Sequence, residues 1–410
     1  MTVRSCRFCQ TQLRHTFVDL GLTPLSNSFL SRNQLKKVEP YYPLHARVCH
    51  KCFLVQVEEF ETPERMFSDY AYFSSYSESW LRHARTYAEA MVGRFALTTG
   101  SQVVEIASND GYLLQYFLRQ NIPVLGIEPA ANVAQVAEQR GIPTLTKFFG
   151  AQTARELRAA GTGADLLLGN NVLAHVPNLN DFVAGLKILL RPNGVITMEF
   201  PHLMKLVAET QFDTIYHEHF SYFSFLTVEQ VFDRHGLSLF DVEELPTHGG
   251  SLRIFAQHAE GASWKKTAQV EELKQREIEA GARQLETFQT FGQKVKDTRK
   301  ALLDFLTEAK REGKSVVGYG APAKGNTLLN YCGIGTDFID YTVDLNPHKQ
   351  GHFLPGSHIP IYSPEMIDKT RPDYVMILPW NLREEIMSQL ERVREWGARF
   401  VVPIPSPAVI

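Results

Sequence analysis

Between residues 102 and 200, short apolar runs alternate with stretches whose apolar positions recur at helical spacing. Residues 102–107, 124–128, 165–170 and 194–200 read as strands, and residues 110–119, 132–140 and 179–190 read as the helices between them. Strand alternating with helix predicts a parallel sheet covered on both faces. Such a sheet takes ligands at the carboxyl ends of its strands. Residues 76–95 predict an amphipathic helix ahead of this block. Residues 262–312 are charged, helical in period and almost free of Gly and Pro, which predicts a helical bridge or pair. Past Lys314 the alternation resumes: strands at 315–319, 339–344, 374–378 and 400–403, helices at 322–331 and 382–392. The chain therefore divides into residues 1–65, 66–260 and 261–410.

Composition narrows the class. The chain has 410 residues, 44% hydrophobic and 21% charged, as in ordinary globular proteins. Lys and Arg number 42 against 45 Asp and Glu. A protein that grips nucleic acid shows a basic excess, so a small-molecule substrate is expected. A zinc-ribbon RNA modifier is the competing reading that this charge balance disfavours. Apolar runs such as Asp165-Leu-Leu-Leu-Gly169 are too short to span a bilayer, and MTVRSCRFCQ has no secretory h-region. A cytoplasmic protein without membrane contact, a monomer or small homo-oligomer, is expected.

Four of the five cysteines form two pairs, Cys6-Arg-Phe-Cys9 and Cys49-His-Lys-Cys52. Each C-x-x-C turns two thiolates toward one point, and two such knuckles complete a tetrahedral zinc shell. Four thiolates close that shell, so the expected Zn(2+) is structural. The insert between the pairs, with Pro24, Pro40 and Pro43, predicts a long looped excursion.

The first strand of the middle block turns at Glu105-Ile-Ala-Ser-Asn-Asp-Gly111. An acidic residue followed by small ones at alternate positions is a turn that admits S-adenosylmethionine. Glu105, Ala107, Ser108, Asn109 and Gly111 are its candidate contacts, with Ala107 and Asn109 where glycine is usual. Glu128, followed by Pro129, ends the next strand, where a carboxylate accepts ribose hydroxyls. Phe148 is placed for the adenine, and Asn170 and Asn171 border the methionine half. Tyr70 and Tyr72 are candidates for closing the pocket. An NAD enzyme would carry G-x-G-x-x-G at this turn, and A-S-N-D-G-Y lacks that spacing.

The stretch Tyr216-His-Glu-His219 admits several readings. H-E-H is not H-E-x-x-H, so a metal pair at i, i+4 is missing. An acid–base site and a buried polar knot remain.

The paired cysteines, E-I-A-S-N-D-G-Y, G-I-E-P, G-N-N-V-L-A-H-V, M-E-F-P and D-T-I-Y-H-E-H-F-S-Y together resemble the nucleotide-sugar C-methyltransferases over essentially the whole chain. The resemblance implies an α/β protein: a class I methyltransferase (Rossmann-like) core between a small N-terminal zinc-binding domain and a C-terminal Rossmann-like α/β domain. It implies methyl transfer from S-adenosylmethionine to the carbon beside the keto group of a nucleotide-diphosphate 4-keto-deoxyhexose. It makes His219 the candidate base, Tyr216 and Glu218 its partners, and His175 a second acid, base or enolate donor. Candidate substrate contacts are His202, Ser251 and Arg253 near the domain seam. Ala321, Lys324, Asn326, Asn346 and Lys349 are the candidates in the C-terminal block, where Gly318-Tyr-Gly-Ala-Pro-Ala-Lys-Gly325 suits a phosphate.

Overall fold

A computed structural model describes residues 4–62 and 74–410. Tyr70 and Tyr72 lie outside the described residues. The head is an antiparallel sheet of β1 (His15–Thr23), β2 (Tyr42–Val48) and β3 (Val55–Gln56). The expected looped excursion is thus partly a pair of strands. β2 alternates cleanly, with Leu44, Ala46 and Val48 buried. β1 carries two register shifts, which break its alternation and hide it from the period-2 signal.

The middle domain begins with the helix Glu78–Arg94, capped by the Ser77 hydroxyl accepting from the Trp80 amide. Its sheet then runs through β4 (Val103–Ile106), β5 (Val124–Ile127), β6 (Thr144–Leu145), β7 (Ala164–Asn170) and β8 (Leu190–Pro201), all parallel. The chain leaves this sheet for β9 (Ser221–Tyr222), which pairs with β3 of the head. It returns as the antiparallel pair β10 (Leu237–Leu245) and β11 (Ser251–His258), giving the order β6–β5–β4–β7–β8–β11–β10.

Alternate strand residues feed two separate cores, because side chains point to opposite faces. Val103, Leu166 and Leu168 pack under the helix Glu78–Arg94 with Tyr87 and Met91. Val104, Ile106 and Leu167 pack under the helix Leu179–Leu189 with Phe182, Val183 and Leu186. Both faces are covered, and all four residues of β4 are buried, Glu105 among them.

The bridge is the helices Ala268–Glu279, Leu285–Gln289 and Phe291–Arg311, broken at Gly281 with its left-handed backbone (φ 82°). The C-terminal sheet holds β12 (Val316–Tyr319), β13 (Thr342–Val343), β14 (Ile361–Tyr362), β15 (Tyr374–Ile377), β16 (Arg399–Val402) and β17 (Ala408–Val409). Its order is β14–β13–β12–β15–β16–β17, parallel except for β17.

Residues 24–41 of the head reach across to this domain. The Leu30 amide donates to the Phe353 carbonyl at 3.0 Å, and Asn326 Nδ2 donates to the Ser26 carbonyl at 2.6 Å. Phe17 of β1 stacks on Phe291 of the bridge at 4.4 Å. Head, bridge and C-terminal sheet therefore share one apolar core. Among the described residues, no helix is long and apolar enough to cross a membrane.

Candidate active site

A cavity of about 720 Å³ lies where the carboxyl ends of β4, β5 and β7 face the head loop and the start of the helix Ala323–Cys332. Its cofactor side follows the expected turn. Ala107 (φ 55°) and Asn109 (φ 49°) adopt the left-handed backbone that glycine usually supplies, and both line the cavity. Gly111 (φ 76°) is the position where no side chain fits: a Cβ there would overlap Ile142.

Glu128 lines the cavity, its carboxylate accepting from the Asn109 and Ala130 amides, each at 2.9 Å. Burial raises its pKa against those two donors. Pro129, Phe148, Asn170 and Asn171 are also in the wall, and Phe148 stands 40% exposed at the rim. Glu105, Ser108 and Gly111 are not; they shape the turn from behind. Glu105 is fully enclosed, and burial, then Glu128, push its pKa well above the carboxylate range.

The residues fit S-adenosylmethionine on their own terms. Both side-chain polar atoms of Asn170 and Asn171 Oδ1 are shielded without a partner among the described residues, as expected of atoms that hold a polar ligand.

Opposite this turn stand Tyr216, Glu218, His219 and His175, all in the cavity wall. His219 Nδ1 lies 3.0 Å from the Thr214 carbonyl, which can only accept, so Nδ1 carries the proton. Nε2 then offers its lone pair to the Tyr216 hydroxyl at 2.8 Å. His175 lies edge-on to His219 at 4.6 Å. Burial, then His175, hold the His219 pKa well below that of a free imidazole. Burial also takes His175 down to about 4 and Glu218 up to about 7. Asn27 Nδ2 of the head donates to Glu218 Oε1 at 2.6 Å. His217 points away, toward the Pro43 carbonyl at 3.2 Å.

On the C-terminal side Lys324 and Lys349 line the cavity. Lys324 Nζ donates to Asn381 Oδ1 at 2.7 Å and sits 4.5 Å above the Trp380 ring. Burial lowers its pKa to about 8, opposed by Asp213. Trp380 Nε1 donates to Asp213 Oδ2 at 2.7 Å, locking this cluster to the middle domain.

Six of the expected substrate contacts do not reach the cavity wall. His202 is held by Glu277 at 2.6 Å. Ser251 donates to the Thr247 carbonyl, and Arg253 is spent on Glu199 and Glu243 at 2.9 and 2.7 Å. Asn326 ties the head loop down, and Asn346 closes a turn against the His348 amide. Ala321 is buried behind the wall, its amide donating to Asp344 Oδ2 at 2.7 Å. Conversely, Asn27, Trp80 and His248 line the cavity without having been anticipated. Asn27 and Trp80 carry no local signal.

The four cysteine sulfurs lie within 4.8 Å of one another. Cys6–Cys52 and Cys9–Cys49 are 3.6 and 3.5 Å apart, near the roughly 3.8 Å edge of a tetrahedral zinc–thiolate shell. Both knuckles are the same turn: the Gln10 amide returns to the Cys6 carbonyl and the Phe53 amide to the Cys49 carbonyl, each 2.9 Å. Gln10 and Phe53 both have positive φ.

This head braces the segment that carries His219. Arg7, inside the first knuckle, donates to the Pro177 and Val57 carbonyls at 2.9 and 2.6 Å. Its guanidinium also stacks on Phe220, next to His219. None of the four cysteines lines the cavity; a zinc held by them would fix the head that backs its wall.

A cofactor turn on a 6–5–4–7–8–11–10 sheet, facing buried acid–base groups, defines an S-adenosylmethionine-dependent methyltransferase. Three family models match in sequence order: a zinc binding domain over residues 6–67, a methyltransferase domain over 80–242, and the C-methyltransferase C-terminal domain over 246–405. The chain is 36% identical to the C-methyltransferase NovU of Streptomyces niveus over 408 residues, 100% of this chain and 97% of that one. It belongs to the C-methyltransferase family.

Solved structures overlap part of it. Magnesium protoporphyrin IX methyltransferase from Synechocystis is 14% identical and covers 43% of this chain and 82% of its own, at a TM-score of 0.35. An S-adenosylmethionine-dependent methyltransferase from Clostridium acetobutylicum is 8% identical and covers 43% and 92%, also at 0.35. The family assignment rests on the full-length relative and the three matched domains.

Proposed function

We propose that this C-methyltransferase acts on the carbon beside the keto group of a nucleotide-linked 4-keto-deoxyhexose. One observation carries the reading: a single cavity joins the cofactor turn, the Tyr216–His219 pair and the cationic start of the C-terminal helix. Carbon is a poor nucleophile until a neighbouring carbonyl lets it shed a proton to a base. When bound, S-adenosylmethionine supplies an electrophilic methyl group. The chain supplies the rest.

Tyr216 takes the α proton as its own passes to His219 Nε2, which the Thr214 carbonyl keeps correctly oriented. Glu218, anchored by Asn27, and His175 enclose the reacting face and exclude water. Lys324, Lys349 and the first turn of the helix Ala323–Cys332 suit the diphosphate, since exposed amides and cations favour its charge.

Isothermal titration with S-adenosylhomocysteine tests the cofactor half, and a panel of nucleotide-linked keto sugars, with product mass read out, tests the substrate half. Tight cofactor binding with no methylated sugar from any member of the panel would refute the substrate reading.

A further inference from the structure

His248 has no part in the chemistry described so far. Its backbone is left-handed (φ 55°, ψ 18°), and Gly249 and Gly250 follow with φ of 90° and 120°. That conformation is uncommon for any residue with a side chain, and it persists only where the surroundings over-determine it. Here they do. A Cβ at Gly249 would overlap the Trp380 indole, so the turn is pressed against the C-terminal domain. On its other side the Thr247 hydroxyl donates to Glu199 Oε1 at 2.8 Å. Glu199 is itself gripped by Arg253 and His83, each at 2.9 Å. Burial raises the Glu199 pKa, but His83 and Arg253 outweigh it and hold the carboxylate at about 2.

The consequence is an imidazole fixed in the cavity wall, edge-on to Trp80 at 5.4 Å. His248 Nε2 is shielded from solvent and meets no hydrogen-bond partner among the described residues. Leaving such a group unpaired is costly, so its natural partner is what the cavity admits. The charged and titratable groups around it are Lys324, Glu199 and His83, with His175 and His219 also within its field. Burial, then Lys324, bring its pKa to about 4, so it is uncharged at neutral pH. A neutral imidazole carries one N–H donor and can serve a developing enolate without first losing charge.

We propose that His248 touches the reacting sugar and donates a hydrogen bond to its carbonyl oxygen as the enolate forms. This role rests on the keto-sugar reading. In that step the α C–H pair becomes the carbon–carbon π bond and the carbonyl π pair moves onto oxygen. The proton resides on the Tyr216–His219 pair, and His248 keeps its own. The mechanism above supplies a base for the proton but no side chain for the oxygen; His248 fills that gap.

The test uses the full-length, zinc-loaded chain and two variants, His248→Gly and His248→Asn. Glycine relieves the strained backbone, and asparagine tolerates it while still offering an N–H. Three quantities are measured: kcat and KM on the keto sugar the parent accepts, deuterium uptake at its α carbon in D₂O with S-adenosylhomocysteine bound, and S-adenosylhomocysteine affinity. The glycine variant is expected to lose about 10²–10³-fold in both kcat and exchange, as when one oxyanion donor is removed. KM and cofactor affinity should stay within about threefold, and asparagine should recover about tenfold. The midpoint of the pH–kcat profile should not move, because His248 does not titrate near neutrality.

A glycine variant within about threefold of the parent overturns the proposal, as does asparagine rescue no better than glycine. If the glycine variant does not fold, asparagine decides: a tenfold or greater loss in exchange supports the role, and parental exchange overturns it. A parent that turns over no keto sugar brings down the substrate reading, and this role with it; a parent that does, beside unaffected variants, brings down this role alone.

Discussion

Replacing Tyr216 with Phe removes one oxygen, and the structure says how much that oxygen should matter. The His219 Nε2 lone pair is already occupied by the Tyr216 hydroxyl at 2.8 Å, and its other nitrogen is committed to the Thr214 carbonyl at 3.0 Å. On the proposed mechanism His219 reaches a sugar proton only through Tyr216, and the two act as one base. A positioned general base contributes about 10²–10⁴-fold, or about 3–5 kcal/mol of barrier. Had Tyr216 merely oriented His219, the loss would be one hydrogen bond, about 1 kcal/mol and roughly fivefold.

Tyr216→Phe and His219→Asn are therefore each expected to lower kcat by about 10²–10⁴, and the double variant to fall no further than the worse single one. The assay is methyl transfer under saturating cofactor, with α-proton exchange in D₂O as the direct readout of the first step. S-Adenosylhomocysteine affinity should be preserved in all three, because its turn sits on the opposite wall. Losses that multiply in the double variant, or a Tyr216→Phe enzyme within about fivefold of the parent, would show that the pair is not a relay.

The remaining predictions concern what supports this pair. Chelation or Cys49→Ser should release one zinc per chain, lower the melting temperature and abolish turnover, because Arg7 and β9 lose the head that positions residues 216–222; a zinc-free protein at full rate would refute the bracing role. Arg253→Met should cost about 1.5–3 kcal/mol in urea denaturation, since buried Glu199 keeps only His83 and Thr247 of its partners, and pairing it with Glu199→Gln should recover part of that; a loss under about 1 kcal/mol would contradict the account.

Acid should destabilise the fold through its buried imidazoles. With His175 held at about 4, the unfolded chain binds more protons below the ordinary histidine pKa, so stability falls as pH drops from about 6.5 toward 4. Glu218, raised to about 7, works the other way, but comparison of His175→Gln with its parent cancels it. The variant should lose about 2 kcal/mol less between pH 7 and pH 5, and an identical slope would refute the assignment.

The parallel core and the zinc head were legible because each rests on local rules. Buried strands such as β7 read as apolar runs, and C-x-x-C is a turn whose partner is another C-x-x-C. What escaped depends on distance. β10 and β11 close the middle sheet through antiparallel pairing that no short window reports, and β9 is two residues long. The predicted strand at 339–344 shrinks to Thr342–Val343, which is short because Asp344 turns back to accept from the Ala321 amide.

In the site, Tyr216, Glu218, His219 and His175 line one cavity, because one segment and one strand end carry them. Arg253 and His202 do not, because each found a buried carboxylate first: Glu199 and Glu277. Asn27 could not be anticipated, since its partner Glu218 lies far along the chain in another domain.

On the proposed mechanism this cavity forms a carbon–carbon bond beside a carbonyl. Incubation with S-adenosylmethionine labelled with ¹³C in the methyl group and a nucleotide-linked 4-keto-deoxyhexose, followed by NMR of the sugar, tests it directly. The account predicts a labelled methyl coupled to the ring carbon next to the keto group. A label bonded to oxygen or nitrogen, or absent from the sugar while the protein demonstrably holds its cofactor, would contradict it.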